Sequence, residues 1–339
     1  MAVLLYSDER YLDHDTGPHH PERPARLVAA LDGLERHGLL ADLDRRAPRA
    51  ATDAELGLVH PAGYISSIDR YCEAGGGSLD ADTVVSSASA QVARLATGAG
   101  LAAIDALDAS DATAAFLAVR PPAHHATATR SMGFCLFNTV AVTAAALAAR
   151  GERVLVVAYD AHHGNGTQDI FYDRDDVAYV SWHQHPMYPG TGRVAQLGAG
   201  PGRGWTMNLP MPPFSTGDHY RRSVEELVAP LAEAHGTTWV LISAGFDAHR
   251  DDPLTDLGLT SGDFADLTSD LLSLGEPGRR IVLLEGGYDL AAVAESTAAT
   301  VAAMFGTTLH PEAPSGGGPG ADTVDAAARL QAAVERSPG

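Results

Sequence analysis

The sequence predicts an α/β protein with one open parallel β-sheet and helices on both of its faces. Six short runs rich in β-branched residues are apolar, as is typical of strands buried on both faces. Stretches rich in alanine and leucine, with helical spacing, lie between these runs, and this alternation indicates a parallel sheet. The predicted strands are residues 3–6, 115–119, 154–158, 177–182, 239–244 and 281–284, and the predicted helices are residues 25–34, 88–107, 140–149, 221–234 and 264–274.

Length and composition predict one large domain followed by a short tail. The 339 residues can bury a sizeable core without disulfides or a structural metal. Composition does not shift on the scale of a domain before about residue 310, so we expect a single domain over residues 1–310. A Pro/Gly-rich break at 315–320 and a helical pattern at 321–336 predict a hinge and C-terminal tail within residues 311–339.

The cysteine, lysine and charge counts exclude several classes of protein. Only Cys72 and Cys135 are present, with no signal segment and no membrane-spanning apolar run, so we expect a cytoplasmic protein with no membrane partner. The 43 acidic and 23 basic residues leave 20 net negative charges, which disfavours nucleic acid. The chain contains no lysine, which excludes Schiff-base and phosphate-binding lysines. Proton transfer near neutral pH is therefore left to the 15 histidines.

Polar clusters follow five of the six predicted strands, at the points where those strands end. The carboxyl edge of an open parallel sheet is where binding sites form, so we expect the clusters to converge in one crevice. The clusters are Arg120-Pro-Pro-Ala-His-His125, Asp160-Ala-His-His-Gly-Asn165, His183-Gln-His185, Gly245-Phe-Asp-Ala-His249 and Glu285-Gly-Gly-Tyr288.

Asp160, His162 and Asp247 form the candidate metal site. Residues two apart at a strand end project to the same side, and carboxylate and imidazole ligands suit Zn²⁺ or another divalent first-row ion. Asp247, in a turn that begins at Gly245, is the best-placed third ligand. Two carboxylates and one imidazole leave a position for water, as in catalytic zinc sites. Each side chain taken singly could simply cap a helix or bind a loop, whereas the whole set favours a metal.

His124, His125 and Tyr288 are the candidate catalytic residues. The two adjacent histidines follow two prolines, in a loop that can aim both side chains inward. A neutral imidazole beside a metal-bound water is the expected general base, and its protonated form is the acid that releases the amine. Tyr288 follows two glycines and can present its phenol to an oxyanion. A lone His-His pair is often a solvated loop, so the prediction depends on the clusters occurring together.

These motifs resemble the zinc-dependent histone deacetylase family, in the class II-like branch with the bacterial deacetylases and acetylpolyamine amidohydrolases. The resemblance covers the chain from about residue 3 to about residue 305. It implies an arginase/deacetylase-like fold, one zinc ion per chain, and removal of acyl groups from acyl-lysine side chains or acylated polyamines. The motifs are His20-Pro-Glu-Arg-Pro-Ala-Arg-Leu27, Arg120-Pro-Pro-Ala-His-His-Ala126, Gly133-Phe-Cys-Leu-Phe-Asn138, Asp160-Ala-His-His-Gly-Asn-Gly-Thr-Gln168, Tyr188-Pro-Gly-Thr-Gly192, Ser243-Ala-Gly-Phe-Asp-Ala-His249, Asp252-Pro-Leu254 and Glu285-Gly-Gly-Tyr288.

The resemblance also implies a role for each matching residue. The residues implied in the chemistry are the zinc ligands Asp160, His162 and Asp247, the general base and acid His125, its electrostatic partner His124, and Tyr288, which polarises the acyl carbonyl. The residues implied around the acyl tunnel are Gly133, Phe134 and Tyr188 in its wall, Leu254 near its mouth, Arg26 near the acetate exit and Asn165 behind the second histidine. Such a tunnel suits a slender acyl-lysine or acylated amine.

One position departs from the family pattern. The family has Asp-x-Asp-x-His where this chain has Ala158-Tyr-Asp-Ala-His162, so alanine replaces the first aspartate. In the family that carboxylate supports the first histidine of the pair and helps to bind a structural potassium-type ion. Its absence leaves His124 without that acceptor and puts a K⁺ site beside Ser181 and Trp182 in doubt. If the chain is a weakened enzyme, Ala158→Asp is expected to raise its activity.

Two other functions stay open on the sequence alone. An arginase-like hydrolase would bind two manganese ions, but the positions for the second ion's ligands hold His163 and His249, which favours a single metal. A non-catalytic homologue that binds an acylated ligand has Ala158 as its support. The net negative charge would attract a lysine-rich peptide or a polyamine alike, and the sequence predicts neither the choice between them nor the oligomeric state.

Overall fold

The protein is built on one open parallel sheet with helices on both faces, as the sequence predicts. The computed structural model describes residues 2–334. The strands in that range are Ala2–Tyr6 (β1), Asp44–Arg46 (β2), Gly77–Ser78 (β3), Val84–Val85 (β4), Ala112–Leu117 (β5), Val154–Ala158 (β6), Val177–Gln184 (β7), Thr206–Met211 (β8), Trp239–Ala244 (β9) and Arg280–Leu284 (β10). Eight of them form the sheet, in the order β2-β1-β5-β10-β9-β6-β7-β8 with parallel neighbours. The two others, β3 and β4, form a short antiparallel pair.

The helices include the five predicted segments, one of them interrupted. Within the described residues they are Ala25–Arg36 (α1), Asp53–Leu56 (α2), Ala62–Glu73 (α3), Ser89–Asp108 (α4), Thr139–Ala148 (α5), Asn165–Phe171 (α6), Gly217–Ser223 (α7), Ala229–His235 (α8), Ser261–Leu272 (α9), Leu290–Met304 (α10) and Ala321–Ala333 (α11). A π-helical turn, Val224–Val228, interrupts the helix predicted at 221–234. Pro230, near the start of α8, has no N–H with which to continue the regular α-helical bonding there.

Three of the elements that the sequence analysis missed lack the expected pattern for a physical reason. β2, at one edge, consists of three charged residues, and β8, at the other, contains Asn208 and Pro210. Edge strands have one neighbour and tolerate charge and proline, so they lack an apolar run. α10 is buried around nearly its whole circumference and therefore lacks the polar face that reveals a helical period.

The strand order brings the predicted polar clusters together. β5, β10, β9, β6 and β7 are consecutive neighbours in the sheet although they are far apart in sequence. Because these strands are parallel, their carboxyl ends lie at one edge and the segments that follow them meet there. Ala158 pairs in register with Ser181 on one side and Ser243 on the other, so β6 and β9 end at nearly the same level, while β7 continues to Gln184.

The C-terminal segment packs against the edge of the sheet. α11 contacts β8 and α7, and Val324 on α11 is fully buried. Thr323 Oγ1 donates a hydrogen bond of 3.1 Å to the carbonyl oxygen of Pro210 on β8. The helix predicted at 321–336 is α11 as far as Ala333, and residues 335 and 336 lie outside the described range. Between residues 2 and 334, none of the helices has the length and apolar character needed to span a bilayer.

We predict that Gly33→Ala destabilises the fold through the contact between α1 and α10. A Cβ at Gly33 would lie 2.1 Å from the carbonyl oxygen of Ala294, so the two helices would have to separate. Overpacking of this kind typically lowers the free energy of unfolding by about 1–3 kcal/mol. Gly63→Ala in α3 is the matched control, because its Cβ would meet no atom within 4 Å. Urea denaturation should show a loss for the first variant and none for the second; equal effects would contradict the prediction.

Candidate active site

Asp160, His162 and Asp247 converge at the carboxyl edge of the sheet. His162 Nδ1 lies 3.2 Å from Asp160 Oδ1 and 2.9 Å from Asp247 Oδ2. One ligand atom from each residue lies within 4.8 Å of the other two. Asp160 follows β6 and Asp247 follows β9, so neighbouring strands supply the two carboxylates. Two oxygen ligands and one nitrogen ligand at these separations form a plausible three-residue site for a divalent metal.

Two glycines let the carboxylates approach this closely. A Cβ at Gly245 would lie 1.9 Å from Asp160 Oδ2, and a Cβ at Gly286 would lie 2.3 Å from Asp247 Oδ2. Backbone N–H groups then hold the carboxylates in place. Gly286 donates to Asp160 Oδ2 at 2.9 Å, and Ala161 donates to Asp247 Oδ1 at 2.7 Å. A side chain at either glycine would displace a carboxylate from the site.

The charges of the three residues also fit a metal ion. Burial, together with repulsion from Asp160, raises the pKa of Asp247 to about 7. Burial opposes the charge of His162, but the two carboxylates outweigh burial and raise its pKa to about 10. Two buried carboxylates that share one imidazole leave an excess of negative charge, which a divalent cation would balance. Donor type, distance and charge therefore all fit.

His125 and His124 lie side by side above the ligand residues, with 4.0 Å between their ring centroids. His125 Nδ1–H donates to Asn165 Oδ1 at 2.8 Å, which leaves Nε2 as the nitrogen that can take up a proton. Burial, with added repulsion from His124 and His162, lowers the pKa of His125 well below its ordinary value, so this imidazole is neutral. His124 Nε2 lies 3.8 Å from Asp160 Oδ1. Among the described residues, His124 Nδ1 is buried without a hydrogen-bond partner.

Tyr288 is held from two directions. Its backbone N–H donates to Asp252 Oδ2 at 2.7 Å. Arg26 lies over its ring, with 5.0 Å from Cζ to the ring centroid, and donates to the carbonyl oxygens of Glu285 and Gly287. Burial raises the pKa of Tyr288 well above its ordinary value. The phenol therefore stays protonated and can donate a hydrogen bond.

A cavity of about 300 Å³ leads from the surface to these groups. His125, His162 and Tyr288 line it together with the four tunnel residues that the sequence analysis named, which are Gly133, Phe134, Tyr188 and Leu254. The side chains of Tyr188 and Leu254 are 39% and 38% exposed and mark the mouth. At Gly133 (φ 55°) a Cβ would lie 2.4 Å from His125 Cδ2, so only glycine fits between the wall and the imidazole.

The loop around β3 and β4 forms one side of the cavity mouth. The sequence alone did not reveal the role of this loop. Asp82 lines the cavity, whereas Asp80 accepts N–H bonds from Asp82 and Thr83 and so caps the turn. Thr83 Oγ1 accepts the backbone N–H of Phe134 at 3.1 Å. Phe134 has a left-handed backbone (φ 68°), and His20 packs edge-on against its ring at 4.7 Å. This strained conformation at the tunnel wall is thus fixed by contacts from two loops.

A buried ion network connects the turns that carry the catalytic candidates. Arg120, which begins the turn with the two histidines, donates two hydrogen bonds of 2.8 and 2.9 Å to the Glu22 carboxylate. Arg26, which braces the turn before Tyr288, donates to the same carboxylate at 3.2 Å. Burial alone would raise the pKa of Glu22, but Arg120, His14 and Arg26 hold it well below its ordinary value. One carboxylate therefore ties two catalytic turns together.

Comparison with known proteins decides the family. The histone deacetylase domain matches residues 20–304, which include every candidate site residue named above. The chain belongs to the histone deacetylase family. It is 35% identical over 316 residues to the probable deacetylase of Archaeoglobus fulgidus, covering 91% of this chain and 88% of that protein.

Other relatives and a solved structure agree with this assignment. The histone deacetylase-like amidohydrolase of Pseudomonas aeruginosa is 36% identical, covering 86% of this chain and 83% of that protein. Human polyamine deacetylase HDAC10 is 38% identical, covering 86% of this chain and 45% of that protein. The crystal structure of the HDA15 HD domain superposes with a TM-score of 0.90 at 34% identity, covering 97% and 95% of the two chains. The arginase/deacetylase-like fold is confirmed, and the chain is a hydrolase of the deacetylase family.

Several residues that shape this deacetylase-family site were not singled out by the sequence analysis. Glu22, Asp252 and Glu285 each lie inside a quoted motif, and Glu285 directly follows β10, where the strand-end pattern places functional groups. Each of them has a partner more than 30 residues away in sequence, namely Arg120, Tyr288 and Ala123, and a pattern of local spacing does not reveal such contacts. Ala158 is fully buried, and Nδ1 of His124 lacks a hydrogen-bond partner within residues 2–334.

We predict that Glu22→Gln destabilises this deacetylase-family protein strongly at neutral pH and less in acid. Removing the carboxylate leaves buried Arg120 and Arg26 without a counter-charge, which typically costs about 3–5 kcal/mol. Because the pKa of Glu22 is depressed in the folded state, its stabilising contribution is fully present above about pH 5 and is lost as the pH falls.

Chemical denaturation at pH 7 and pH 4 measures this difference. Glu295→Gln is the control, because Glu295 pairs with Arg36 and His37 at the surface and should change stability by less than about 1 kcal/mol. The prediction would be wrong if Glu22→Gln lowered the free energy of unfolding no more than the control does, or by the same amount at both pH values.

Proposed function

We propose that this protein is a zinc-dependent amidohydrolase that removes acetyl or other acyl groups from acyl-lysine side chains or acylated amines. The proposal depends on one observation: the ligand atoms of Asp160, His162 and Asp247 converge beside His125 and Tyr288 at a single cavity. Zinc bound by these ligands would act as a Lewis acid toward the acyl oxygen and lower the pKa of the attacking water.

The remaining steps belong to residues of the chain. His125 Nε2 takes a proton from the attacking water, because Nδ1 is engaged with Asn165 and the ring is neutral. Tyr288 donates its phenolic hydrogen to the developing oxyanion, an interaction that is typically worth about 3 kcal/mol in the transition state. His125 then returns the proton to the leaving nitrogen, and acetate and a free amine result. Arg26 packs against the ring of Tyr288, and we assign it the role that the family resemblance implies, that of the arginine near the acetate exit.

The substrate is an acylated cationic molecule in this proposal. The walls at Gly133, Phe134 and Tyr188 admit a slender chain, and Asp82 is placed at the mouth to meet a cation or an N–H group. The 20 net negative charges would raise the local concentration of a lysine-rich peptide or a polyamine. An acylated polyamine is the alternative substrate, supported by the relative named polyamine deacetylase.

A single metal ion fits the site better than the two ions of an arginase-like hydrolase. His163 donates or accepts at both ring nitrogens, with Thr191 and Gln168, and His249 is bonded to Glu312. Both histidines therefore have partners away from the three ligand residues. A structural K⁺ site is not part of the proposal, because Ala158 offers no carboxylate and Ser181 Oγ is bonded to His183.

A weakened or non-catalytic homologue that binds an acylated ligand is the second candidate function. The unpartnered Nδ1 of His124 beside Ala158 favours it, since loss of a supporting partner typically lowers activity about 10–100-fold. The presence of His125, Tyr288 and all three ligand residues favours the active enzyme.

We further propose that residues 1–310 form the catalytic domain, that 311–339 are an appendage to it, and that the protein acts in the cytoplasm without a nucleic-acid or membrane partner. Two observations support the location and the boundary. Cys72 and Cys135 are both free thiols, and every candidate site residue precedes residue 310.

The test is a panel of acetyl-lysine peptides and acetylated polyamines, with metal analysis of the same sample. We expect turnover of at least one substrate class, one zinc ion per chain, and loss of turnover with a zinc chelator. Tyr288→Phe should lower kcat about 100–1,000-fold with metal content unchanged, because one oxyanion donor is lost. Glu295→Gln, far from the cavity, should leave kcat unchanged. Two ions per chain, or turnover that survives Tyr288→Phe, would overturn the proposal, and binding without turnover would favour the second candidate.

A further inference from the structure

Glu285 is a buried carboxylate that lies directly beneath the turn with the two histidines. Its Oε2 accepts the backbone N–H of Ala123 at 2.5 Å and that of His124 at 3.3 Å, and its Oε1 accepts the hydroxyl of Ser243 at 2.8 Å. The side chain is 1% exposed. All three donors are neutral groups, and within residues 2–334 no ion pair to Glu285 is formed. A buried carboxylate costs free energy unless its hydrogen bonds are well made, so its retention here calls for a role.

The hydrogen bonds that hold His124 are made by its backbone, while its ring packs against His125 and lies 3.8 Å from Asp160 Oδ1. Nδ1 of the ring has no hydrogen-bond partner in the described part of the chain. The backbone N–H is bonded to Glu285, and the backbone carbonyl accepts the N–H of Thr167 at 3.1 Å. The orientation of the imidazole therefore depends on where Glu285 and Thr167 place the main chain.

Ala158 lies beside the residue that anchors Glu285. Ala158 is paired in register with Ser243 on β9, and residues in register on parallel strands project to the same face of the sheet. Ser243 Oγ is the group bonded to Glu285. A carboxylate at position 158 would thus stand next to the Glu285–Ser243 pair, and the resemblance to the family implies that it would support His124 from there.

The backbone around Glu285 also touches the other parts of the site. The next residue, Gly286, donates its N–H to Asp160 Oδ2, and Arg26 donates to the Glu285 carbonyl oxygen. The side chain of Glu285 therefore fixes the histidine turn relative to a segment that already holds a ligand carboxylate and Tyr288.

We propose that Glu285 is the positioning residue for the His124–His125 turn, supporting through the main chain the histidine that lacks a carboxylate at position 158. This proposal rests on the proposed deacylase activity. Glu285 does not touch the substrate. It sets the geometry in which His125 exchanges protons, so its loss should affect kcat and leave substrate binding nearly unchanged.

The kinetic test is a double-mutant cycle with Glu285→Gln, Ala158→Asp and the double variant. Glu285→Gln keeps the shape but removes the charge, so the backbone N–H groups of Ala123 and His124 bond to a neutral and therefore weaker acceptor. We expect kcat to fall about 10–100-fold, with KM within about threefold and zinc content unchanged. The compared quantity is the factor by which Ala158→Asp raises kcat in each background. This factor should be at least about fivefold larger in the Glu285→Gln background than in the wild-type chain, because the new carboxylate would support the histidine turn in place of Glu285. An equal factor in both backgrounds, or a kcat within about threefold of wild type for Glu285→Gln, would overturn the proposal.

Glu152→Gln is the matched control, since Glu152 is bonded to Thr238 and Arg279 before β6, at the opposite end of the sheet. Its kcat and KM should equal those of the wild-type chain. If Glu285→Gln does not fold, Ser243→Ala removes one anchor of Glu285 and keeps its charge. That variant should lose about 3–10-fold in kcat and regain it with Ala158→Asp, and no loss would count against the proposal.

A spectroscopic readout separates this proposal from the proposed function. In zinc-loaded protein labelled with ¹⁵N-histidine, the ring signals of His124 and His125 can be assigned with His124→Asn and His125→Asn. We expect Glu285→Gln to shift or broaden both signals, and Glu152→Gln to leave them unchanged. Shifted signals in a chain without turnover would refute the deacylase function and support the positioning role. Unchanged signals in an active enzyme would refute the positioning role alone.

Discussion

The buried carboxylate of Glu22 is the interaction on which the site depends most. It receives Arg120 and Arg26, each of them 1% exposed, and these two arginines support different turns. Arg120 begins the histidine turn, and Arg26 braces the segment that leads to Tyr288. Charged groups buried this deeply are stable only when paired, so the pairing geometry is sharply defined. The network thereby ties the turn with His125 to the segment with Tyr288.

A second constraint is the repulsion between Asp160 and Asp247. The parallel sheet places both carboxylates at the same edge, and Gly286 lets them approach without a side chain between them. Burial and the nearby Asp160 raise the pKa of Asp247, and the two carboxylates outweigh burial to raise that of His162, so the negative charge gathered here suits a divalent ion. The same segment continues through Glu285 to the histidine turn. The candidate metal ligands, the histidine turn and Tyr288 are thus linked through one short stretch of backbone.

Much of this arrangement was predictable from the sequence because the informative residues lie at strand ends. Apolar runs gave the central strands, and the rule that parallel strands share a carboxyl edge brought together the segments with Asp160, Asp247 and Tyr288. The edge strand β8, with Asn208 and Pro210, lacks that apolar pattern. The interrupted helix around Pro230 and the uniformly buried α10 likewise gave misleading or absent periodicity.

By itself, the sequence predicted the fold class and the candidate ligand residues, because those follow from residue type and local spacing, and the resemblance to the family revealed the missing aspartate at Ala158. Only the tertiary structure shows which groups support the histidine turn near that alanine. Glu285, which follows β10, accepts the backbone N–H of His124, and Ser243 on β9 donates to Glu285; both are more than 100 residues from His124 in sequence. Such contacts depend on strand order and register, which arise from the packing of the whole sheet and leave no periodic trace in the chain.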